Sequence, residues 1–196
     1  MTKFKEVREY ILDRLENTLD SHLYYHGLEH TKDVLGAVEN IALSEGVTPH
    51  ELELLKVAAA FHDSGFLVVY KNHEEAGCGI AYEVFNKIGM SQEDQDIIYN
   101  LILSTKVPQQ PKTHLEEILC DADLDYLGRD DFEFISNSLF DEFKHWNIVS
   151  DVETWMNIQI SFLDKHKYWT KFSKTYREEK KLAHLNKLKK EYSQFS

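Results

Sequence analysis

The sequence predicts an all-α fold, and three observations carry that prediction. Apolar residues recur at helical spacing: Val34, Val38 and Ile41 form one stripe, and Ile80, Val84 and Ile88 form another. Start signals recur along the chain, each a Ser, Thr or Asn three residues ahead of an acid. Finally, 8 Gly and 3 Pro in 196 residues are too few for a Gly-rich all-β fold, for collagen or for a disordered chain.

The first helix is expected over 4–19 and the second over 28–45, stopped by Gly46. Thr48-Pro49-His50-Glu51 is a capping box with Pro at the first helical position, and it starts a third helix over 49–64 that Gly65 ends. The run Phe66 to Tyr70 is the only strand-like segment, short and isolated, and it reads as a buried connection containing a helical turn. A fourth helix follows over 73–88, with an Asn72 cap and Gly89 as its stop. Ser91 with Asp94 opens a fifth over 92–104, and Val107 to Lys112 is the clearest loop. Thr113 with Glu116 opens a sixth over 114–127, ended by Gly128. Helices over 131–146, 151–167 (from Ser150 with Glu153) and 170–191 complete the chain. The expectation is one domain over 1–196, a bundle of about eight or nine helices. Its core covers about 22–128, and the helices of 129–196 pack on it as a C-terminal extension.

Composition narrows the class. Hydrophobic residues make up 42% and charged residues 29%, ordinary for a soluble globular protein. Cys78 and Cys120 form no CxxC and are too few for a disulfide scaffold, which points to the cytoplasm. The charged N-terminus, MTKFKEVREYILDRL, predicts no signal peptide, and no apolar run predicts a membrane span. The net charge of −12 is uneven: residues 1–164 carry −19 and residues 165–196 carry +7. An acidic body disfavours bulk nucleic-acid binding. The basic end reads as a solvated helix face.

The chemistry concentrates in three segments. Leu52 to Asp63 (LELLKVAAAFHD) is apolar almost all round from Leu54, the mark of a central helix, yet it ends in His62 and Asp63. Burying an imidazole and a carboxylate costs several kcal/mol unless they are paired or hold a metal. In Tyr25 to Thr31 (YHGLEHT), His30 lies four residues before Val34 and so projects from an apolar face, with His26 one turn earlier. In Leu119 to Tyr126 (LCDADLDY), the apolar stripe places Asp123 nearest the interior, Asp125 further round and Asp121 nearly opposite. Leu124 falls on the outer side, with packing on a later helix as its only account. Two imidazoles and two carboxylates, from His30, His62, Asp63 and Asp123, suit one divalent cation with positions open to water and substrate.

With the pieces YHGLEHTKDVL, AAAFHDSGF, NHEEAG and DADLDYLG in this order over residues 25 to 128, the chain resembles the HD-domain superfamily of metal-dependent phosphohydrolases. The resemblance implies His30, His62, Asp63 and Asp123 as ligands of one divalent ion, with Mn, Fe, Co, Ni, Mg and Zn all open. In the cyclic-nucleotide phosphodiesterase branch, the His one turn before the first ligand protonates the leaving group, and His26 holds that place. The branch that hydrolyses guanosine tetraphosphate carries an acidic pair after HD. Here Ser64-Gly65-Phe66-Leu67 follows, which does not support that activity. Binuclear members add two histidines; His73 is one candidate, and the lack of another before His114 favours one metal.

The expected activity is hydrolysis of a phosphate ester or anhydride of a small molecule, with nucleotides among the candidates, through a metal-activated water. Asp63 would orient that water and His26 would donate the proton to the leaving group. His73, Thr105, Lys106 and Arg129 are the candidate substrate contacts. The alternative is a regulatory module that binds metal or nucleotide without turnover. A third reading takes His26-Gly27-Leu28-Glu29-His30 as the HxxEH motif of a zinc peptidase, which would leave His62, Asp63 and Asp123 unexplained. The oligomeric state is left open.

Overall fold

The computed structural model describes residues 3–194, and among these it is helical throughout, with no strand. The α-helices are α1 (Lys3–Thr18), α2 (Leu28–Glu45), α3 (Pro49–Phe61), α4 (His73–Ile88), α5 (Gln92–Ser104) and α6 (His114–Asp123). They continue as α7 (Phe132–His145), α8 (Val152–Lys165), α9 (Lys171–Tyr176) and α10 (Glu178–Tyr192). Single 3-10 turns follow α3 at Ser64–Leu67 and α6 at Asp125–Gly128.

The apolar run of the third segment becomes the axis of the molecule. Leu54, Leu55, Val57 to Ala60 and Phe61 are all buried, and α3 packs against α1, α2, α5 and α6 at once. Each large side chain buried this way stabilises the fold by about 1.5–3 kcal/mol. The capping box that starts α3 is complete: Thr48 Oγ1 accepts from the Glu51 amide at 3.2 Å, and Glu51 accepts from the Thr48 amide at 2.8 Å. A second cluster, including Tyr25, Leu124, Tyr126, Phe132, Leu163 and Leu185, joins α7, α8 and α10 to the end of α6. Leu124 belongs to it, so its packing partner is the C-terminal extension.

Several boundaries differ from expectation, each for a local reason. Helix α3 stops at Phe61, not at 64, because side chains take over from the ladder: Ser64 Oγ donates to the Phe61 carbonyl at 2.7 Å. The connection at 66–70 is buried at Phe66, but Val68 and Val69 are exposed. Asn72 adopts a left-handed backbone (φ 57°) and makes no capping bond. Asp151, one residue after Ser150, caps α8 by accepting from the Thr154 amide at 2.8 Å. The sixth segment leaves the α-helix after Asp123. The ninth divides at Arg177, which raises the count to ten α-helices among the described residues. Gly128 explains that division: a Cβ there would lie 2.4 Å from the Arg177 carbonyl oxygen, so only glycine lets the two backbones meet. Arg177 is held in place through its Nε, which donates to Asp125 at 2.7 Å.

The basic end serves the fold. Lys189 pairs with Asp164 at 2.7 Å, Lys180 with Asp130 and Lys187 with Glu133, so the charge asymmetry is partly answered within the chain. Lys181 is buried, and its ammonium donates to the His166 carbonyl at 2.9 Å and to Glu178 at 3.1 Å.

Candidate metal centre

The ends of α2, α3 and α6 meet at one point. His62 closes α3, and its Nδ1 lies 2.8 Å from the Ala59 carbonyl. A carbonyl can only accept, so Nδ1 carries the proton and Nε2 faces the cluster. His30, in the first turn of α2, places its Nε2 3.3 Å from His62 Nε2 and 3.2 Å from Asp123 Oδ1. Asp123 Oδ1 is also 3.5 Å from His62 Nε2. His30, His62 and Asp123 each offer a ligand atom within 4.8 Å of the others. Asp63 flanks these three, with Oδ2 3.1 Å from His62 Nε2 and 3.5 Å from His30 Nε2.

This donor set fits a metal ion on its own chemistry. Two imidazole nitrogens face each other, and the buried Asp63 Oδ2 has no hydrogen-bond partner. Ligand atoms about 2.0–2.2 Å from a shared ion stand about 3.0–3.6 Å apart, the range observed here. The electrostatics agree. Burial opposes a charged His62, but Asp63 and Asp123 outweigh it and hold its pKa well above the usual histidine value. Burial likewise opposes ionisation of Asp123, yet the imidazoles of His30 and His62 hold its carboxyl down at about 2. Carboxylates that favour protonated imidazoles would favour a dication in the same place. Gln109, in the loop before α6, steadies Asp123 by donating from Nε2 to Oδ2 at 3.1 Å.

His26 stands beside this cluster, just before α2 begins. Its Nδ1 lies 2.5 Å from Glu142 Oε1, and Glu142 Oε2 accepts the backbone amides of Tyr25 and His26 at 2.9 and 3.0 Å. The Tyr70 hydroxyl donates to Oε1 at 2.9 Å. Burial pulls the His26 pKa down, but the bond to Glu142 and the charges of Asp63, Glu142 and Asp123 raise it above its ordinary value. Phe66 stacks on the rings of both His26 and His73, at 4.4 and 4.0 Å.

A cavity of about 970 Å³ opens beside the cluster, and His26, Asp63, His73, Thr105, Lys106 and Asp123 all line it. His73 Nε2 is 3.4 Å from Asp63 Oδ1. Thr105 donates its hydroxyl to the Ile102 carbonyl at 2.8 Å, and Lys106 pairs with Glu75 at 2.5 Å. Arg129 is the expected contact that does not line this cavity. Its guanidinium is bound to Asp33 and Asp131, each at 2.8 Å, with Asp125 at 3.5 Å, and it lines a separate cleft. Asp121 is fully buried, although its helix position points away from the cluster. It accepts the amides of Trp169 and Thr170 and so anchors the start of α9.

The peptidase reading does not fit this geometry. His26 precedes the helix, and the Glu29 side chain is 87% exposed and paired with Lys32, so it faces away from any water in the site. Sequence reasoning missed Glu142 and Gln109. Glu142 carried a usable signal: it lies three residues after Leu139 and seven after Ile135, on the apolar face of α7, as His30 does on α2.

The HD domain profile matches residues 27–125, half of the chain and the segment that supplies every ligand of the cluster. The chain belongs to the HD domain family. No curated protein and no solved structure matches it. HD domains are in general metal-dependent hydrolases, and the His30–His62–Asp123 group of this one could hold a metal. No helix among the described residues is long and apolar enough to cross a membrane.

Proposed function

We propose that this HD domain protein is a metal-dependent phosphohydrolase that cleaves a phosphate ester of a small molecule. The observation that carries the proposal is the donor cluster, whose buried Asp63 Oδ2 accepts no hydrogen bond, sharing one cavity with a carboxylate-backed histidine. A divalent ion held by His30, His62, Asp63 and Asp123 would supply Lewis acidity at a phosphoryl oxygen and a water nucleophile at neutral pH. The chain's own residues do the rest. Asp63 Oδ1, turned toward His73, is placed to orient the attacking water. His26, whose pKa the Glu142 carboxylate raises, donates its Nε2 proton to the departing oxygen. Thr105 and Lys106, which line the same cavity, serve as phosphate contacts, Lys106 exchanging Glu75 for the phosphate.

Elemental analysis of the purified protein, followed by chelation and reloading with single metals, tests the reading against p-nitrophenyl phosphate and a panel of phosphate esters. His62→Ala should lose bound metal and turnover together. Full turnover in that variant removes the proposal. Bound metal without turnover on any ester assigns the chain to a binding role instead.

A further inference from the structure

The shape and charge of the cavity say more about the substrate than the cluster does. Its walls are aromatic and aliphatic: Tyr70, Phe132, Leu139, Phe143 and Trp155 line it. The apolar surface does not stop at the mouth. Trp146, Ile148, Ile158 and Val107 line the same cavity while remaining 37–57% exposed. Side chains of this kind are left in water at a mouth when something apolar passes over them. Four wall residues, Val107, Leu124, Ile158 and Phe162, are shared with a second cavity of about 700 Å³, so the apolar surface runs on beyond the first.

Polar groups deep in the wall are occupied with each other. Ser136 donates its hydroxyl to Gln159 Oε1, and both residues line the cavity. Cationic groups are few. Among the described residues, the lysines that line the cavity are Lys71 and Lys106, both at its exposed edge, and Lys106 already faces Glu75. Asp63, Glu74 and Asp123 line it as well. With Asp63 and Asp123 engaged by the proposed ion, the cations left over suit one phosphoryl group; further phosphates of a nucleoside polyphosphate would lie against the apolar wall with nothing there to neutralise them.

We infer that the substrate is a monophosphate ester of an extended apolar group, the phosphate lying at the His/Asp cluster and the hydrocarbon along the Tyr70–Trp146–Ile158 wall. The inference rests on the phosphohydrolase reading and names its substrate class. Buried methylenes contribute about 0.8 kcal/mol each, so catalytic efficiency should rise about fourfold per methylene.

The test measures kcat/KM for ethyl, butyl and hexyl phosphate beside AMP, ADP and ATP, using the metal-loaded full chain. A parallel thermal-shift series uses ethyl-, butyl- and hexylphosphonate, which cannot be hydrolysed. Rising efficiency along the alkyl series supports the inference, together with Ile158→Asn lowering the hexyl-to-ethyl ratio at least fivefold. Hydrolysis of nucleotides with no dependence on alkyl length overturns it and leaves the phosphohydrolase reading standing. Length-dependent stabilisation by the phosphonates with no hydrolysis of any ester overturns the activity but keeps the apolar ligand. No hydrolysis and no stabilisation overturns both.

Discussion

Replacing Glu142 by Gln isolates what the carboxylate does for His26. Glu142 is fully buried and accepts four hydrogen bonds, two on each oxygen. The amide of Gln has one acceptor end. If its NH2 took the Oε2 position it would face the Tyr25 and His26 amides, donor against donor. The side chain therefore turns its NH2 toward His26 Nδ1 and the Tyr70 hydroxyl. Nδ1 must then accept, which favours neutral imidazole over imidazolium. A hydrogen bond to a charged group is worth about 1.5–3 kcal/mol, so the His26 pKa should fall by about 1–2 units. His26 acts as an acid only while protonated, so activity falls as pH rises through its pKa. The alkaline limb of the kcat/KM profile should therefore move to lower pH by the same amount. With an alkyl phosphate, whose leaving oxygen needs a proton, kcat should drop about 10- to 100-fold. With p-nitrophenyl phosphate, whose leaving group departs as an anion, the drop should stay within about threefold. Thermal melting and circular dichroism check that the variant is folded. Equal losses on both substrates with an unmoved pH profile would show that Glu142 only braces the loop, and the acid role of His26 would fall.

Two further predictions concern stability. Gly128→Ala drives a Cβ to within 2.4 Å of the Arg177 carbonyl oxygen and 2.6–2.7 Å of its Cβ and Cα, atoms fixed to the backbone that cannot swing away. Urea unfolding should show a loss of about 2–3 kcal/mol, and an unchanged midpoint would mean that the 128–177 contact is not tight in solution. His166 is neutral in the fold: burial, then the Lys181 ammonium, pushes its pKa down to about 3. Below pH 6.5 the unfolded chain takes up a proton at His166 that the folded chain refuses. This contribution is therefore complete above about pH 6.5 and lost as pH falls toward 3, on the order of 1–3 kcal/mol after relaxation. His166→Asn cannot titrate, so its stability should fall less steeply between pH 6.5 and 4.5; identical slopes would refute the assignment.

The sequence made the fold and the cluster legible wherever a local pattern carried the information. The all-round apolar run of α3 declared a central helix, and its terminal His62 and Asp63 declared an anomaly that burial must resolve. His30 and Asp123 were found by their position on an apolar face. Reasoning from one face failed where α6 is buried on both. Asp121 lies nearly opposite the apolar stripe, and the stripe gives no sign that it is covered, because Trp169 and Thr170, which cover it, lie 48 and 49 residues away. Arg129 reads as a substrate contact for the same reason: Asp33, its partner at 2.8 Å, is 96 residues distant. Helix ends were misjudged where side chains replace backbone bonds, as Ser64 does at the Phe61 carbonyl.

These misplacements share a cause, which concerns how the site is built. The family profile ends at residue 125 and contains every metal-ligand candidate. It does not contain Glu142, which fixes the tautomer and orientation of His26, or the aromatic walls of the cavity contributed by α7 and α8. The C-terminal third is tied back to the rest of the chain through three buried acids, among other bonds: Asp121 to the start of α9, Asp125 to Arg177, and Glu142 to Tyr25 and His26. Each tie joins a buried acid of one part to a donor of the other, so separating the parts would leave carboxylates unpaired, a cost of several kcal/mol. The division of labour follows from those ties. The family core holds the atoms that could bind an ion, a property many phosphohydrolases can share. The extension supplies the carboxylate that orients His26 and much of the apolar lining of the cavity beside it. On the proposed substrate reading, variants in residues 132–165, which supply much of the apolar wall, should separate one ester from another more than variants at the candidate ligands.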